Sequence, residues 1–160
     1  MNENKETFIA VIYTDGDKFI NTQRYGRIST VVNLPQAKKD YHSEDSAEMQ
    51  ATLALFQSTG IRVNPTELKP LGYFGTQNDN FDIEIYYIKV DALPLLTNLK
   101  SVRKIHLLGK FAGQSVPAIT KYRFTSFTEL DDFIYPLEGI KDALTKIPEI
   151  CAIADADAEV

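Results

Sequence analysis

The segment DSAEMQATLALFQSTGI, residues 45–61, decides the fold because it carries the complete pattern of a helix with both of its ends. Asp45 is a good N-cap residue, and Glu48 follows three positions later, as a capping box requires. Gly60 stands where a left-handed residue ends a helix, and Ile61 can close back on the last turn. The segment therefore predicts a capped helix that leads, through a connection containing prolines, into a strand.

The apolar residues of this segment recur at the three- and four-residue spacing of a helix. The predicted apolar face consists of Ala47, Met49, Ala51, Thr52, Leu53, Ala54, Leu55 and Phe56. We expect this broad face to pack against the rest of the protein.

Upstream of the helix, two strand-like runs flank an Asp-Gly turn. Residues 8–13 (FIAVIY) are apolar, and residues 18–24 resume after Asp15-Gly16, which is a strong hairpin signal. Residues 28–34 (ISTVVNL) predict a third strand that ends at a proline. Residues 36–44 then read as a polar loop that leads to the helix.

Downstream, residues 81–90 (FDIEIYYIKV) give the clearest strand pattern. Alternation places Phe81, Ile83, Ile85 and Tyr87 on one face, and Asp82, Glu84, Tyr86 and Ile88 on the other. Further strands are predicted at 68–74, 105–111 and 122–127, and a short helix or a loop at 91–104. A terminal helix is predicted over 138–147, ended by Pro148.

Length and composition predict one domain over residues 1–160, with 1–6 and 151–160 as flexible ends. The net charge of −5 argues against a protein that coats nucleic acid. Cys151 is the only cysteine, which excludes an intramolecular disulfide and favours a cytoplasmic setting. No apolar run approaches the length that spans a membrane, so we expect no membrane association.

The order of these elements resembles the Nudix family, whose domains cleave nucleoside diphosphate derivatives. The hairpin at 8–24 is similar to the family's opening, and Leu34-Pro35 stands at its Leu-Pro strand end. Thr59-Gly60-Ile61 matches the family's closing Thr-Gly-Ile, and YRFTSFTELDD at 122–132 resembles a late strand that enters a helix. The resemblance covers nearly the whole chain. It implies an α/β (α+β) fold, an α/β/α sandwich with a mixed, curved sheet between helices.

The family's signature, counted back from Gly60, is degenerate in this chain. Ala54 stands where the resemblance expects a glutamate, and Gln57 and Ser58 stand where it expects two more. In the family such carboxylates hold divalent metal, because Mg²⁺ prefers anionic oxygens. The resemblance therefore implies a Nudix-fold protein without pyrophosphatase activity and without a metal cofactor.

Carboxylates elsewhere could replace the missing ones and hold Mg²⁺. The candidate ligands are Asp45, Glu48 and Glu84, with Glu44 and Asp82 nearby in sequence. The alternatives are that Asp45 and Glu48 form the capping box, and that the strand carboxylates belong to a solvated face. The chain would then be a metal-dependent pyrophosphohydrolase of a nucleoside diphosphate derivative.

Basic and aromatic residues point to a ligand instead of a metal. Arg24, Arg27, Lys38 and Lys39 lie on segments that flank the family's pocket, and could hold a phosphate while Tyr25 or Tyr41 stacks on a base. The alternative interpretation, to which we give equal weight, is that these basic residues are ordinary surface charges. We expect the ligand site to contain Arg24, Arg27, Lys39, Glu84 and Tyr86.

Three functions follow from these observations. The first is a binding or regulatory module for a nucleotide-like anion, with Arg24, Arg27 and the Asp82/Glu84 face in one cleft. The second is the hydrolase with relocated carboxylates. The third is a protein-interaction module with an exposed apolar patch at 93–99 (LPLLTNL). A homodimer is implied only by analogy with the family.

Overall fold

The computed structural model describes residues 6–26, 30–75, 81–137 and 139–158, with side chains up to residue 152 in the last segment. Within these ranges a mixed sheet lies between two helices. Its strands are β1 (Glu6–Thr14), β2 (Lys18–Arg24), β3 (Gln36–Lys38), β4 (Lys69–Phe74), β5 (Phe81–Lys89) and β8 (Ile119–Ser126). The helices are α1 (Ala47–Thr59) and α2 (Gly139–Ala158), and β6 (Lys104–His106) pairs with β7 (Ser115–Pro117) in a separate hairpin.

The strands run in the order β4-β5-β1-β2-β8, and β3 also pairs with β1. β1 and β5 are parallel along their whole length, and the other pairs are antiparallel. Side chains of β5 alternate as predicted: Ile83 and Ile85 join the core beneath α2, whereas Tyr86 and Ile88 join the core beneath α1. The α/β/α sandwich and its mixed sheet are therefore confirmed.

The first hairpin is formed as the Asp-Gly signal predicted. Gly16 has φ 103°, and the Asp15 carboxylate accepts hydrogen bonds from the N–H groups of Asp17 and Lys18. Downstream, Ser126 and Glu129 form the capping box of a short 3-10 helix over Phe127–Asp132, where the sequence predicted a helix entry. Local side-chain chemistry thus sets both features.

α1 differs from its prediction at its start. The N-cap is Ser46, whose hydroxyl accepts from the Met49 N–H at 3.2 Å, so the predicted capping box of Asp45 and Glu48 is wrong. Glu48 instead lies in the first turn, where the helix dipole favours a negative charge. The C-cap is correct, because Gly60 has φ 79° and donates its N–H to the Phe56 carbonyl.

The predicted apolar face of α1 is wrong in part. Met49 and Leu53 are 38% and 41% exposed. The face that packs on the sheet is made mainly of small residues, and Ala51 and Leu55 pack in the same core as Tyr86. Alanines allow the helix backbone to lie close to the strands, so the larger apolar residues on the opposite side stay in solvent.

Several other predictions from the sequence are wrong. Within the described part of 28–34 only isolated bridges form, at Val31 and Asn33, while the supposed loop at 36–38 is β3. The strand predicted at 105–111 is confined to β6. α2 continues through Pro148 to Ala158 and buries Cys151, which was placed in a tail. No helix in the described ranges is long and apolar enough to cross a membrane.

We predict that Ser46→Ala lowers the free energy of unfolding by about 1 kcal/mol, because it removes the side-chain cap of α1. Asp45→Ala is the matched control and should change stability by less than about 0.5 kcal/mol. Urea denaturation followed by circular dichroism measures both variants. If Asp45→Ala lowers the free energy of unfolding more than Ser46→Ala does, the capping box predicted from the sequence is supported instead.

Candidate functional site

β1 and β2 separate beyond their hairpin, and the chain at 31–38 fills the gap. The two strands pair at Thr14 and Phe19, next to the turn. Farther along, Thr22 of β2 bridges to Asn33, and β3 pairs with Phe8–Ala10 of β1. The sheet therefore opens into a fork, and two clefts lie beside the inserted segment.

The first cleft lies beside the C-terminal half of α1, and we call it the helix cleft. It is narrow, about 20 Å³. It is lined by Thr22, Arg24, Asn33, Leu34, Gln36, Gln57, Ser58, Arg103, Ala118 and Ile119. These residues supply two guanidinium groups and three carboxamides, and none of them is acidic. Such a lining attracts anions and repels cations.

The second cleft, which we call the wide cleft, adjoins the core beneath α2. Its volume is about 280 Å³, close to the roughly 300 Å³ at which small-molecule sites begin. It is lined by Phe8, Thr22, Arg24, Val31, Val32, Asn33, Gln36, Phe81, Pro136 and Leu137. The rings of Phe8 and Phe81 meet edge to face, with centroids 5.4 Å apart. An apolar wall thus stands beside the polar residues that the two clefts share.

The last carbonyls of α1 fix the walls of the helix cleft. The Gln57 carbonyl accepts from the N–H groups of Val102 and Arg103, at 2.9 and 3.0 Å. The Ser58 carbonyl accepts from the Tyr122 hydroxyl at 2.5 Å, and the Thr59 carbonyl from the Lys100 N–H. These bonds satisfy groups that a helix end leaves unpaired. They also hold the backbone of Arg103 beside the helix C-terminus, where the dipole favours a positive charge.

A separate polar cluster lies on the α1 side of the sheet, around Glu84 of β5. Its carboxylate accepts from Lys39 Nζ at 2.8 Å and from the Tyr86 hydroxyl at 2.7 Å. The side chains of Lys39 and Glu84 are 17% and 11% exposed, and Lys39 Nζ lies 5.4 and 5.9 Å from the ring centroids of Tyr41 and Tyr73. The hydrogen bond to Glu84 raises the pKa of Lys39, and burial raises that of Tyr86. The charge of Glu84 is therefore compensated within the protein.

Neither region has a donor set that fits Mg²⁺. The helix cleft offers neutral amides and hydroxyls beside two guanidinium groups, and Glu84 already uses both oxygens. In the part of the chain that the structure describes, no three His, Cys, Asp or Glu residues are grouped as metal ligands. A hard cation needs several anionic oxygens, and these arrangements offer only the one carboxylate of Glu84, which is paired with Lys39.

The predicted ligand residues fall into two groups. Lys39, Glu84 and Tyr86 come together, as the face of β5 indicated, but Glu84 is buried and does not lie on a solvated face. Arg24 lines both clefts, whereas Glu84 lines neither, so the single cleft expected from the sequence is not formed. Arg27 lies outside the described residues. Lys38 is on the surface and pairs with Glu6 at 2.9 Å.

The fallback metal ligands do not form a group of three among the described residues. The charge of Glu48 contributes to the raised pKa of Tyr86, which places it near the Glu84 cluster. Asp45 is exposed ahead of α1, and its backbone N–H donates to the Ser43 hydroxyl.

The sequence did not single out Gln36, Asn33 or Arg103 as site residues. Gln36 could have been found, because it follows Leu34-Pro35 at the point where the resemblance places the strand end beside the pocket. Arg103 gave no signal, since it lies more than 40 residues after α1 and reaches the cleft only through tertiary hydrogen bonds.

No family model matches this chain, and no curated protein sequence matches it. Solved structures do. The NUDIX domain of Shewanella oneidensis NrtR complexed with ADP ribose is 10% identical, with a TM-score of 0.62 over 89% of this chain and 87% of that one. The MutT protein from Methanosarcina mazei Go1 is 10% identical, with a TM-score of 0.62 over 93% and 96%.

A third structure, the C. elegans Ap4A hydrolase binary complex, is 9% identical, with a TM-score of 0.56 over 92% of this chain and 98% of that one. These similarities show the fold. The chain is a Nudix-fold domain, as the order of its elements indicated.

We predict that Lys39→Met lowers the free energy of unfolding by about 3 kcal/mol, because it leaves the buried Glu84 carboxylate without its cation. Lys38→Met is the matched control. This substitution breaks the ion pair between Lys38 and Glu6, whose side chains are 62% and 46% exposed. It should lower the free energy of unfolding by less than about 1 kcal/mol. Urea denaturation measures the free energy of unfolding of both variants. Equal losses of stability would contradict the conclusion that Lys39 compensates the buried charge of Glu84.

We also predict that alkaline pH loosens the helix cleft through Tyr122. Burial raises the pKa of Tyr122 from 10.0 to about 12, so its contribution to stability is complete below pH 10 and is lost as the pH rises toward 12. Unfolding free energies at pH 8 and pH 11 should differ less in Tyr122→Phe than in the wild type. Tyr25→Phe, at an exposed position, should keep the wild-type difference. If Tyr122→Phe shows the same difference as the wild type, the ionisation of Tyr122 is not what lowers stability at alkaline pH.

Proposed function

We propose that this protein is a Nudix-fold module that binds a nucleotide-like anion without a divalent metal and does not hydrolyse it. The observation that carries the proposal is the helix cleft, where Arg24 and Arg103 meet carboxamides and no acidic residue lines the wall. The two guanidinium groups supply the positive charge that a metal would otherwise bring to a phosphate.

The residues that α1 presents to this cleft support the absence of hydrolysis. Gln57 and Ser58 line it, and these are the positions at which the resemblance expects two adjacent glutamates. Neutral side chains there cannot supply the anionic oxygens that hold Mg²⁺ and activate water. The relocated carboxylate that the sequence suggested, Glu84, is paired with Lys39.

The wide cleft supports the nucleotide-like character of the ligand. A planar heterocycle suits the apolar wall formed by Phe8 and Phe81, and Arg24 stands between this wall and the helix cleft. One ligand with its ring in the wide cleft would therefore direct a phosphate toward the guanidinium groups at the edge of the helix cleft, through the shared Arg24.

We predict that ADP-ribose, the compound held by the NUDIX domain from Shewanella oneidensis, binds with the same Kd in Mg²⁺ and in EDTA. Arg24→Gln and Arg103→Gln should each weaken binding about tenfold or more, because each removes a charge-assisted hydrogen bond. Arg62→Gln is the matched control, since Arg62 lies over the Phe56 ring and lines neither cleft. Isothermal titration calorimetry measures all four proteins.

Two results would contradict the proposal. Binding that EDTA abolishes, or Mg²⁺-dependent cleavage of ADP-ribose seen by chromatography of the mixture, would favour the pyrophosphohydrolase. If Arg24→Gln and Arg62→Gln bind ADP-ribose with equal affinity, Arg24 does not contribute to the binding site.

A protein-interaction module is the second candidate, and one observation favours it. Leu95 and Leu96 are 69% and 47% exposed, within the apolar segment that the sequence singled out. They line an open depression of about 550 Å³ together with Leu93, Pro94 and Phe124. Exposed apolar surface of this kind is typical of contact sites between proteins. This function gains support if ADP-ribose gives no heat with the wild-type protein.

A further inference from the structure

Gln36 carries a buried oxygen that has no hydrogen-bond partner. The side chain lies in the fork on β3, opposite Ala10 of β1, and lines both clefts. Its Oε1 atom is the one buried side-chain oxygen or nitrogen without a partner among the residues that the structure describes. Because buried acceptors are costly when unpaired, such an atom calls for a donor from outside the chain.

The surroundings of Gln36 restrict what that donor can be. Gln36 lines the wide cleft together with Phe8 and Phe81, whose rings form its apolar wall, and Arg24 lines both clefts. A group that enters this space must be flat and largely apolar to suit the rings, yet present a polar hydrogen at its edge. An amino group on an aromatic heterocycle meets both conditions.

We propose that Gln36 determines the specificity of the wide cleft, by accepting an N–H from the amino group of a nucleotide base. This inference rests on the proposed function and narrows its ligand to a nucleotide with an amino-bearing heterocycle. A base without that hydrogen leaves the Gln36 oxygen unpaired, as it is in the free protein, and therefore binds without the hydrogen bond that an amino group would add.

β3 holds Gln36 in place from both sides. The pairing of β3 with Phe8–Ala10 fixes the strand against β1. Lys39, the residue that follows β3, is fixed by its ion pair with Glu84. The Val11 N–H also donates to the Pro35 carbonyl at 3.0 Å, immediately before Gln36. The backbone that carries the acceptor is therefore fixed, which favours discrimination between ligands that differ by one donor.

The test compares ADP with purine riboside 5′-diphosphate, which has the same ring, sugar and phosphates but lacks the amino group. Calorimetry with the wild-type protein should show ADP binding about tenfold tighter or more. Gln36→Leu should bind the two compounds with equal affinity, because it has no acceptor. Gln36→Glu keeps an acceptor at the same position and should retain the preference for ADP. Thermal unfolding checks that both variants are folded.

The outcomes separate this inference from the proposed function. If the wild type binds both diphosphates equally well, the role of Gln36 is refuted while the anion site stands. The same holds if Gln36→Leu keeps the full preference for ADP. If neither diphosphate binds while ADP-ribose does, the inference is refuted and the proposed function stands; if ADP-ribose also fails to bind, both are refuted.

Discussion

The hydrogen bonds at the C-terminal end of α1 are the constraint on which the site depends. Four successive carbonyls, from Phe56 to Thr59, accept donors from the C-cap, from residues 100–103 and from the Tyr122 hydroxyl. A helix end left without such partners would be costly to bury. Satisfying it draws a distant segment and β8 against the helix, and this closure creates the helix cleft with Arg103 at its wall.

The fork in the sheet is the second determinant, because it converts a closed sheet into a site. Where β1 and β2 separate, their edges need other partners, and the chain at 31–38 supplies them through β3 and Asn33. This insertion places Gln36 between the two clefts and leaves Arg24 of β2 facing both. The arrangement joins an apolar recess to a positively charged one, and this is why we propose a ligand with a ring and a phosphate.

Patterns that depend on neighbouring residues predicted much of the fold. The Asp-Gly hairpin, the alternation along β5 and the Gly60 cap are local, and each is confirmed because local chemistry decides it. The order of the elements then led to the Nudix fold. Features set by tertiary contacts were missed: Met49 and Leu53 look apolar in sequence, but the close approach of the alanine face to the sheet leaves them exposed.

The candidate site shows the same division. Arg24 was predicted from its place at the end of β2 and lines both clefts, and the Lys39, Glu84 and Tyr86 cluster followed in part from strand alternation. Their separation into two regions could not be predicted, since it depends on how far the fork opens. Arg103 could not be predicted either, because its position results from backbone donors that meet the end of α1.

The most direct measurement is a crystal structure with ADP-ribose grown in Mn²⁺, with data collected at the manganese absorption edge. We predict phosphate oxygens within hydrogen-bond distance of the Arg24 and Arg103 guanidinium groups, and no anomalous peak beside them. An anomalous peak that bridges a phosphate to a protein carboxylate would contradict metal-free binding, because it would show that a metal does what we assign to the two arginines.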